Sequence, residues 1–471
     1  MASSKDAQKW REYLLASPVA RLVFEGISKI VRDRIDRYLI ERNGPPMLTQ
    51  NDEDWLIATC RTAAQTVVSN NDIEIDEELL KDITTQVMID NHPLGPLMPL
   101  LKDPSVQNIH INGPHDCYVF ADGERFYVPL SFQSSEDVMS RLVEYANMQA
   151  GERSIPISNA HPIGTLVLPT GERFHVASQV ADPNPLITLR KHQPDRFANF
   201  SRLAEVGGMP PYMVKFLEAS VTAKLNILFA GGVNTGKTTY LRAFGATVPD
   251  DERLGVIEDD KELKLLALRP DTDTFELTAR PPNTEGLGGI GMDYLIREAL
   301  RMNPNRVIVG EVRGKEALYM LKAMSSGWPG SACTIHAEVA EDAIPQLIGY
   351  VFEHEDSPKS EEQVAKRVAR SIQLIVFLRS IRISKGKFRR VLDEVVAVHG
   401  FAAGEVMMKP IIKYDEVYDD WFWITGRPNE IGNDDWQRRF RNVGIDLNDL
   451  IPQSVIDQGS KYSAGRDEEG F

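Results

Sequence analysis

The sequence predicts an α/β protein built on a parallel sheet, and three observations carry that expectation. Beyond residue 211, short β-branched runs alternate with helix-like segments of about ten to fifteen residues. One run, "LNILFAGG", passes straight into Gly231-x4-Gly236-Lys237-Thr238, a pattern that requires a strand before it and a helix after it. The hydrophobic period also changes along the chain, from three-and-four to two and then to the strand–helix alternation, as separate domains would demand.

The elements follow in order. Residues 1–92 read as a helical appendage, because "KWREYLLASPVARLVFEGISKIVRDRIDRYLI" repeats its apolar residues at three and four, with Pro45-Pro46 interrupting before a second helical pair. Residues 93–195 form a mixed α/β domain, in which "VQNIHING", "CYVFADGERFYVP" and "TLVLPTGERFHVA" are short strands punctuated by Asp-Gly and Thr-Gly turns. Periodicity is lost in a linker at 196–210. The nucleotide-type domain occupies 211–400, with strands at "LNILFAGG", "RLGVIED", "RVIVGE", "SACTIH" and "IQLIVFL" and helices from Gly236, Met292 and Lys315. Residues 401–471 supply further strands and helices and end in "KYSAGRDEEGF", which reads as a loose tail.

Composition narrows the function. A chain of 471 residues with 53 basic against 68 acidic residues carries a formal charge of -15. That balance opposes a broad nucleic-acid surface, since such affinity rests on neutralising phosphates, and no stable nucleic-acid complex is expected. Cys60, Cys117 and Cys333 are odd in number and widely spaced, so they form neither a disulfide framework nor a zinc knuckle. The N-terminus lacks the apolar core of a signal peptide, and no stretch approaches the roughly 18 apolar residues of a membrane span. A cytoplasmic protein with peripheral membrane contact is expected.

The glycine pattern carries the chemistry. Glycines let backbone N–H groups wrap a phosphate chain, a lysine reaches its β and γ oxygens, and a hydroxyl helps to hold Mg²⁺. The residues assigned to the nucleotide are Gly231, Gly232, Val233, Asn234, Thr235, Gly236, Lys237, Thr238 and Thr239, with Thr238 toward the metal. An ordinary glycine-rich turn is the bland alternative. A competing G-x-G-x-x-G occurs in "GLGGIG" (Gly286, Gly288, Gly291), but "RPPNTE" puts prolines where a strand should enter the turn, and a loop leading to the next helix is the better reading.

Hydrolysis also needs acids at neighbouring strand ends to hold the metal and orient water. Glu311 ends "RVIVGE", Glu258 and Asp259 end "RLGVIED", and His336 ends "SACTIH". Each alone could be a solvated residue or a helix cap.

Taken together, "ILFAGGVNTGKTT", "RLGVIEDDKELKL", "LIREALRMNPNRVIVGEVRGKEAL" and "GSACTIHAE" resemble the Walker A, Asp box, Walker B and His box of the secretion traffic ATPases. These serve type II and type IV secretion, conjugation and type IV pili. The resemblance covers roughly residues 95 to 455, adding "DPSVQNIHINGP" and "ITLRKH". It looks nearest the Tad (Flp) pilus branch, with the conjugation branch close behind. It implies a RecA-like ATPase domain preceded by a PAS-like N-terminal domain, in a hexameric ring under the inner membrane that works with a membrane platform protein. It further implies that Glu311 polarises water, that Glu258 assists at the metal or the water, and that His336 fills the His-box position. Arg173 and Arg190 match the family's arginine fingers, although either could be a surface ion pair. Three positions depart from the pattern: the loop reads "GGVNTGKT", Asn305 replaces a common acid, and Thr170 replaces the usual Asp before Arg173. A nucleic-acid translocase of the same fold and a switch without turnover are the rival readings.

Overall fold

The computed structural model describes residues 17–42, 50–92, 94–122, 124–128, 130, 132, 134–149, 156–168, 172–191, 199–282, 286–384 and 387–469. Pro45-Pro46 and Thr170 lie outside them. The chain divides into two compact units, Met1–Gln193 and Pro194–Phe471. Among the described residues no helix is long and apolar enough to cross a membrane.

The first unit begins with three helices, Pro18–Arg42, Gln50–Asn70 and Glu77–Asn91. Val23, Ile27 and Val31 recur at four residues, so they share one helical face and bury against Leu56, Ala63, Val67, Ile83 and Val87. Asp76 caps the third helix by accepting the N–H groups of Glu78 and Leu79.

A six-stranded antiparallel sheet follows, made of β1 (Val106–Ile111), β2 (Cys117–Ala121), β3 (Glu124–Tyr127), β4 (Ile163–Val167), β5 (Arg173–Ala177) and β6 (Leu186–Arg190). Its order is β3-β2-β1-β6-β5-β4. Phe174, Val176, Ile187 and Leu189 alternate inward and meet Val138, Leu142 and Ala146 from the helical run at 135–149. The guanidinium of Arg141 in that run donates to the carbonyls of Asp90 (3.2 Å) and His92 (2.6 Å), tying the helical appendage to the sheet domain.

The second unit holds a nine-stranded sheet. Its strands are β7 (Ile227–Gly231), β8 (Leu254–Glu258), β9 (Thr274–Thr278), β10 (Arg306–Val312), β11 (Ala332–His336), β12 (Leu374–Ser384), β13 (Lys387–Ala402), β14 (Glu405–Asp415) and β15 (Asp420–Trp423). The order is β15-β14-β13-β12-β7-β11-β10-β8-β9, parallel from β12 through β9 and antiparallel from β12 to β15. This is the RecA-like arrangement expected, with the phosphate-loop strand inside the sheet.

Both faces are covered, so β7 reads as a continuous apolar run. Ile227 and Phe229 serve one core with Phe216, Phe244, Trp423 and Trp436; Leu228 and Ala230 serve the other with Val309, Leu321, Ile335 and Leu347. The strands after residue 400 continue this same sheet.

The C-terminal stretch departs from expectation. Instead of a loose tail, the helix Gln453–Glu469 runs to the end of the described chain. Tyr462 stacks on Phe422 at 4.0 Å between ring centroids, and its hydroxyl donates to Asp415 at 2.6 Å. Gly459 permits the approach, since a Cβ there would sit 1.7 Å from the Trp423 carbonyl oxygen. The polar composition of the tail hid these few anchoring groups.

"GLGGIG" follows β9, an edge strand, and an isolated antiparallel bridge joins Arg280 to Ile290 before Gly291 opens the helix Met292–Leu300. A dinucleotide fingerprint needs a strand running directly into the glycine turn, and among the described residues β9 ends at Thr278, well before it. The three cysteines are buried and free, and burial pushes each thiol up to about 12.

At the amino end of β10, Arg306 is 0% exposed. Its guanidinium meets both carboxylate oxygens of Glu252 at 2.7 Å and the Val221 carbonyl at 2.6 Å. Removing one member of such a pair strands the other charge. Glu252→Ala is expected to cost about 3–5 kcal/mol in chemical denaturation, whereas replacing both residues by apolar ones of similar volume should cost far less; equal losses would contradict this view of the pair.

Candidate functional site

The site starts from where β7 stops. Gly231, its last residue, lies level with His336 on β11 and Leu378 on β12. Gly231 has φ +151°, and a Cβ there would be 2.3 Å from the Leu378 carbonyl oxygen, so glycine is required. Asn234 and Gly236 also take positive φ, +61° and +100°. The loop then enters the helix Lys237–Thr247, placing the N–H groups of its first turn at the helix's positive end.

Lys237 is buried. Its Nζ donates to the carbonyls of Gly231 (3.1 Å) and Gly232 (2.8 Å) and lies 3.4 Å from His336 Nδ1. Thr235 Oγ1 donates to the Gly232 carbonyl at 3.0 Å. The lysine thus rests on the loop's own carbonyls, groups it can exchange for phosphate oxygens. Thr238 and Thr239 sit half-buried in the helix's first turn.

The two expected acids lie at the same sheet edge in different environments. Glu258 is buried, and its Oε1 accepts the N–H groups of Glu262 (3.1 Å) and Leu263 (2.9 Å). Burial pushes this carboxyl up to about 8, outweighing those two N–H groups. Gly310 makes room for it, since a Cβ there would meet Glu258 Cγ at 3.1 Å.

Glu311 is held between His336 and Arg313. Its Oε1 lies 2.7 Å from His336 Nε2 yet is buried with no well-aligned donor among the described residues, while its Oε2 pairs with the Arg313 guanidinium. Arg313 also reaches Asp259 at 3.9 Å. Thr334 Oγ1 donates to the Gly310 carbonyl at 2.7 Å and clamps β11 to β10 beside the site.

Burial, then the positive charge of Lys237, lowers the His336 pKa, against an upward pull from Glu311. The ring is therefore neutral at neutral pH. Lys237 is donor-only, so Nδ1 is the acceptor nitrogen and the proton belongs on Nε2, toward Glu311.

A triphosphate fits these residues: three backbone positions with positive φ, a movable lysine and a helix N-terminus converge at one edge. Among the described residues no cluster of three or more His, Cys, Asp or Glu could hold a metal by itself. Mg²⁺ fits only in the way it commonly binds nucleotide sites, through phosphate oxygens, water and one or two protein oxygens. Thr238, half-buried in the helix's first turn, is the hydroxyl available there. Glu258, with one oxygen spent on backbone and its carboxyl inclined to stay protonated, is the poorer ligand.

Arg173 and Arg190 belong to the first unit. They are direct cross-strand neighbours on β5 and β6, on the outward face of that sheet. One-dimensional reading gave no hint of the pairing. Arg313 and Arg390 were also missed. Arg313 could have been found, two residues after Glu311 and just past the end of β10; Arg390 is 156 residues from the loop residue it touches.

A family model described as "Type II/IV secretion system protein" matches residues 90–400, more than half of the chain. The VirB11 type IV secretion system protein of Bartonella henselae is 28% identical over 345 residues, covering 66% of this chain and 93% of that one. A protein of Mycobacterium tuberculosis, provisionally described as a conjugal transfer protein, is 34% identical over 247 residues, covering 52% of this chain and 68% of that one. Among solved structures the Legionella pneumophila ATPase DotB is 15% identical, covers 77% of this chain and 93% of its own, and superposes with a TM-score of 0.47.

The Glu258 environment predicts a pH dependence. The folded value of about 8 lies above the ordinary 4.5, so the folded state holds the proton more tightly and stability falls as pH climbs through that window. Glu394, buried on β13 and pushed up to about 7 by burial, acts with the same sign. Glu258→Gln cannot ionise and should flatten the fall in unfolding free energy between about pH 5 and 8 by up to roughly 1.4 kcal/mol per pH unit. Urea titrations across that range read the slope; one unaltered by the substitution refutes a neutral buried carboxyl.

Proposed function

Because the chain belongs to the type II/IV secretion system protein family, we propose that its ATPase site powers a secretion or pilus machine at the inner membrane, as a homo-hexameric ring motor. The observation that carries the reading is the convergence at one sheet edge of a phosphate loop, its lysine and Glu311, bridged by His336. That set has what phosphoryl transfer to water requires.

The residues divide the work as follows. Lys237 leaves the carbonyls of Gly231 and Gly232 for the β and γ oxygens, and loop N–H groups with the helix terminus neutralise the rest of the phosphate charge. Mg²⁺, when bound, neutralises charge shared between those phosphates. Glu311 orients the attacking water and takes its proton. His336, neutral with its proton on Nε2, holds Glu311 and senses the departing phosphate. Arg173 and Arg190 supply guanidinium charge to the transferred group, a role their side-by-side placement supports.

Nucleotide turnover then becomes rigid-body movement passed to a polytopic platform protein, with the Tad-type pilus machine as the system of first choice. The surplus of acidic residues disfavours the translocase reading. DNA-stimulated hydrolysis would revive it.

Four substitutions test the proposal. Glu311→Gln should keep ATP binding while turnover falls by about a hundredfold or more, and Lys237→Ala should lose binding itself. Light scattering with a non-hydrolysable ATP analogue should report a six-membered ring. Arg173→Ala and Arg190→Ala should slow hydrolysis without reducing nucleotide affinity in proportion. Normal turnover in the Lys237 variant would end this interpretation.

A further inference from the structure

A loop that aims its N–H groups at an anion must turn its carbonyls away from that anion, and those carbonyls still need donors. Lys237 serves Gly231 and Gly232, and Thr235 also serves Gly232. Asn234 is served from a distant part of the chain. Arg390 Nε, on β13, donates to the Asn234 carbonyl at 2.8 Å. The same side chain passes along the loop's last turn, with Cδ 3.6 Å from where a Cβ on Gly236 would be. The residue it holds has φ +61°, a left-handed conformation that a non-glycine residue adopts at some cost.

We propose that Arg390 is a positioning residue of the nucleotide site, keeping the Asn234–Gly236 limb of the phosphate loop in its anion-accepting shape while Lys237 changes partners. This rests on the phosphate-site reading above and adds a residue to it. The argument is one of division of labour. To reach a phosphate, Lys237 must release Gly231 and Gly232, which leaves the first limb of the loop without its cation. The Arg390 bond goes to a carbonyl that Lys237 does not use, so it persists through the exchange.

The anchor behind Arg390 is firm. Val391 and Leu392, the next two residues of β13, are 0% exposed, and the Leu392 N–H donates to the Gly208 carbonyl at 2.7 Å. A guanidinium also keeps its charge at every accessible pH, so its positive field beside an anion site is constant. β13 thereby becomes a support of the phosphate loop although it carries none of the hydrolytic residues.

The test compares full-length wild type, Arg390→Ala, Arg390→Lys and Lys237→Ala, using ATP hydrolysis, ADP binding by calorimetry and thermal unfolding without nucleotide. Arg390→Ala should weaken ADP binding about tenfold, the scale of one charged hydrogen bond, with the kinetic loss falling on KM more than on kcat and the unfolding temperature hardly moved. Arg390→Lys should recover part of the affinity, because an ammonium on a long stem can still donate to a carbonyl. Wild-type affinity in Arg390→Ala overturns the proposal. So does a lowered unfolding temperature with kcat and KM falling together and no gain in the lysine variant, the pattern of a merely structural contact. If Lys237→Ala also binds ADP normally, the phosphate-site reading has failed, a different result from an Arg390 failure beside a defective Lys237 variant.

Discussion

The second unit depends on the level at which one buried strand ends. β7 is fully buried and hydrogen-bonded on both sides, so its register against β11 and β12 is fixed by the alternation of its side chains into two cores. That register sets Gly231 beside His336 and Leu378, and the loop has to turn there. A one-residue slip would bury Lys237 in the wrong layer and carry His336 away from it. The chemistry of the edge therefore follows from packing in the middle of the sheet.

Electrostatics at that edge are arranged by burial as much as by charge pairs. Glu258 is pushed toward its neutral form, while Glu311 sits between a guanidinium and a neutral imidazole. Two acids at adjacent strand ends are thus kept chemically distinct: one behaves as a neutral hydrogen-bonding group and the other as a paired carboxylate. The tautomer of His336 follows from its two neighbours, a donor-only lysine and an acceptor.

How much of this could be read in one dimension depends on sequence distance. The phosphate loop declares itself because its residues are contiguous and its backbone needs glycines at fixed offsets. Glu258, Glu311 and His336 were within reach because each closes an apolar run, and a parallel sheet collects such ends at one edge. The pairing of Arg173 with Arg190 and the Arg390 support were out of reach, since each is set by strand register between distant segments. Asp415, buried within the acidic run at 414–420, was likewise out of reach, although it holds both the β14–β15 turn and Tyr462. The C-terminal helix was hidden for a related reason: its docking rests on one tyrosine, one glycine and little apolar surface.

That last helix changes the character of one sheet border. β15 is a short strand with a neighbour only on its β14 side, and an open strand border is a template onto which another polypeptide can zip. The C-terminal helix contacts β15, with Gly459 pressed to the Trp423 backbone, and so covers this border at that point. A border covered there is a poorer template for self-recruitment into fibrous or swapped assemblies.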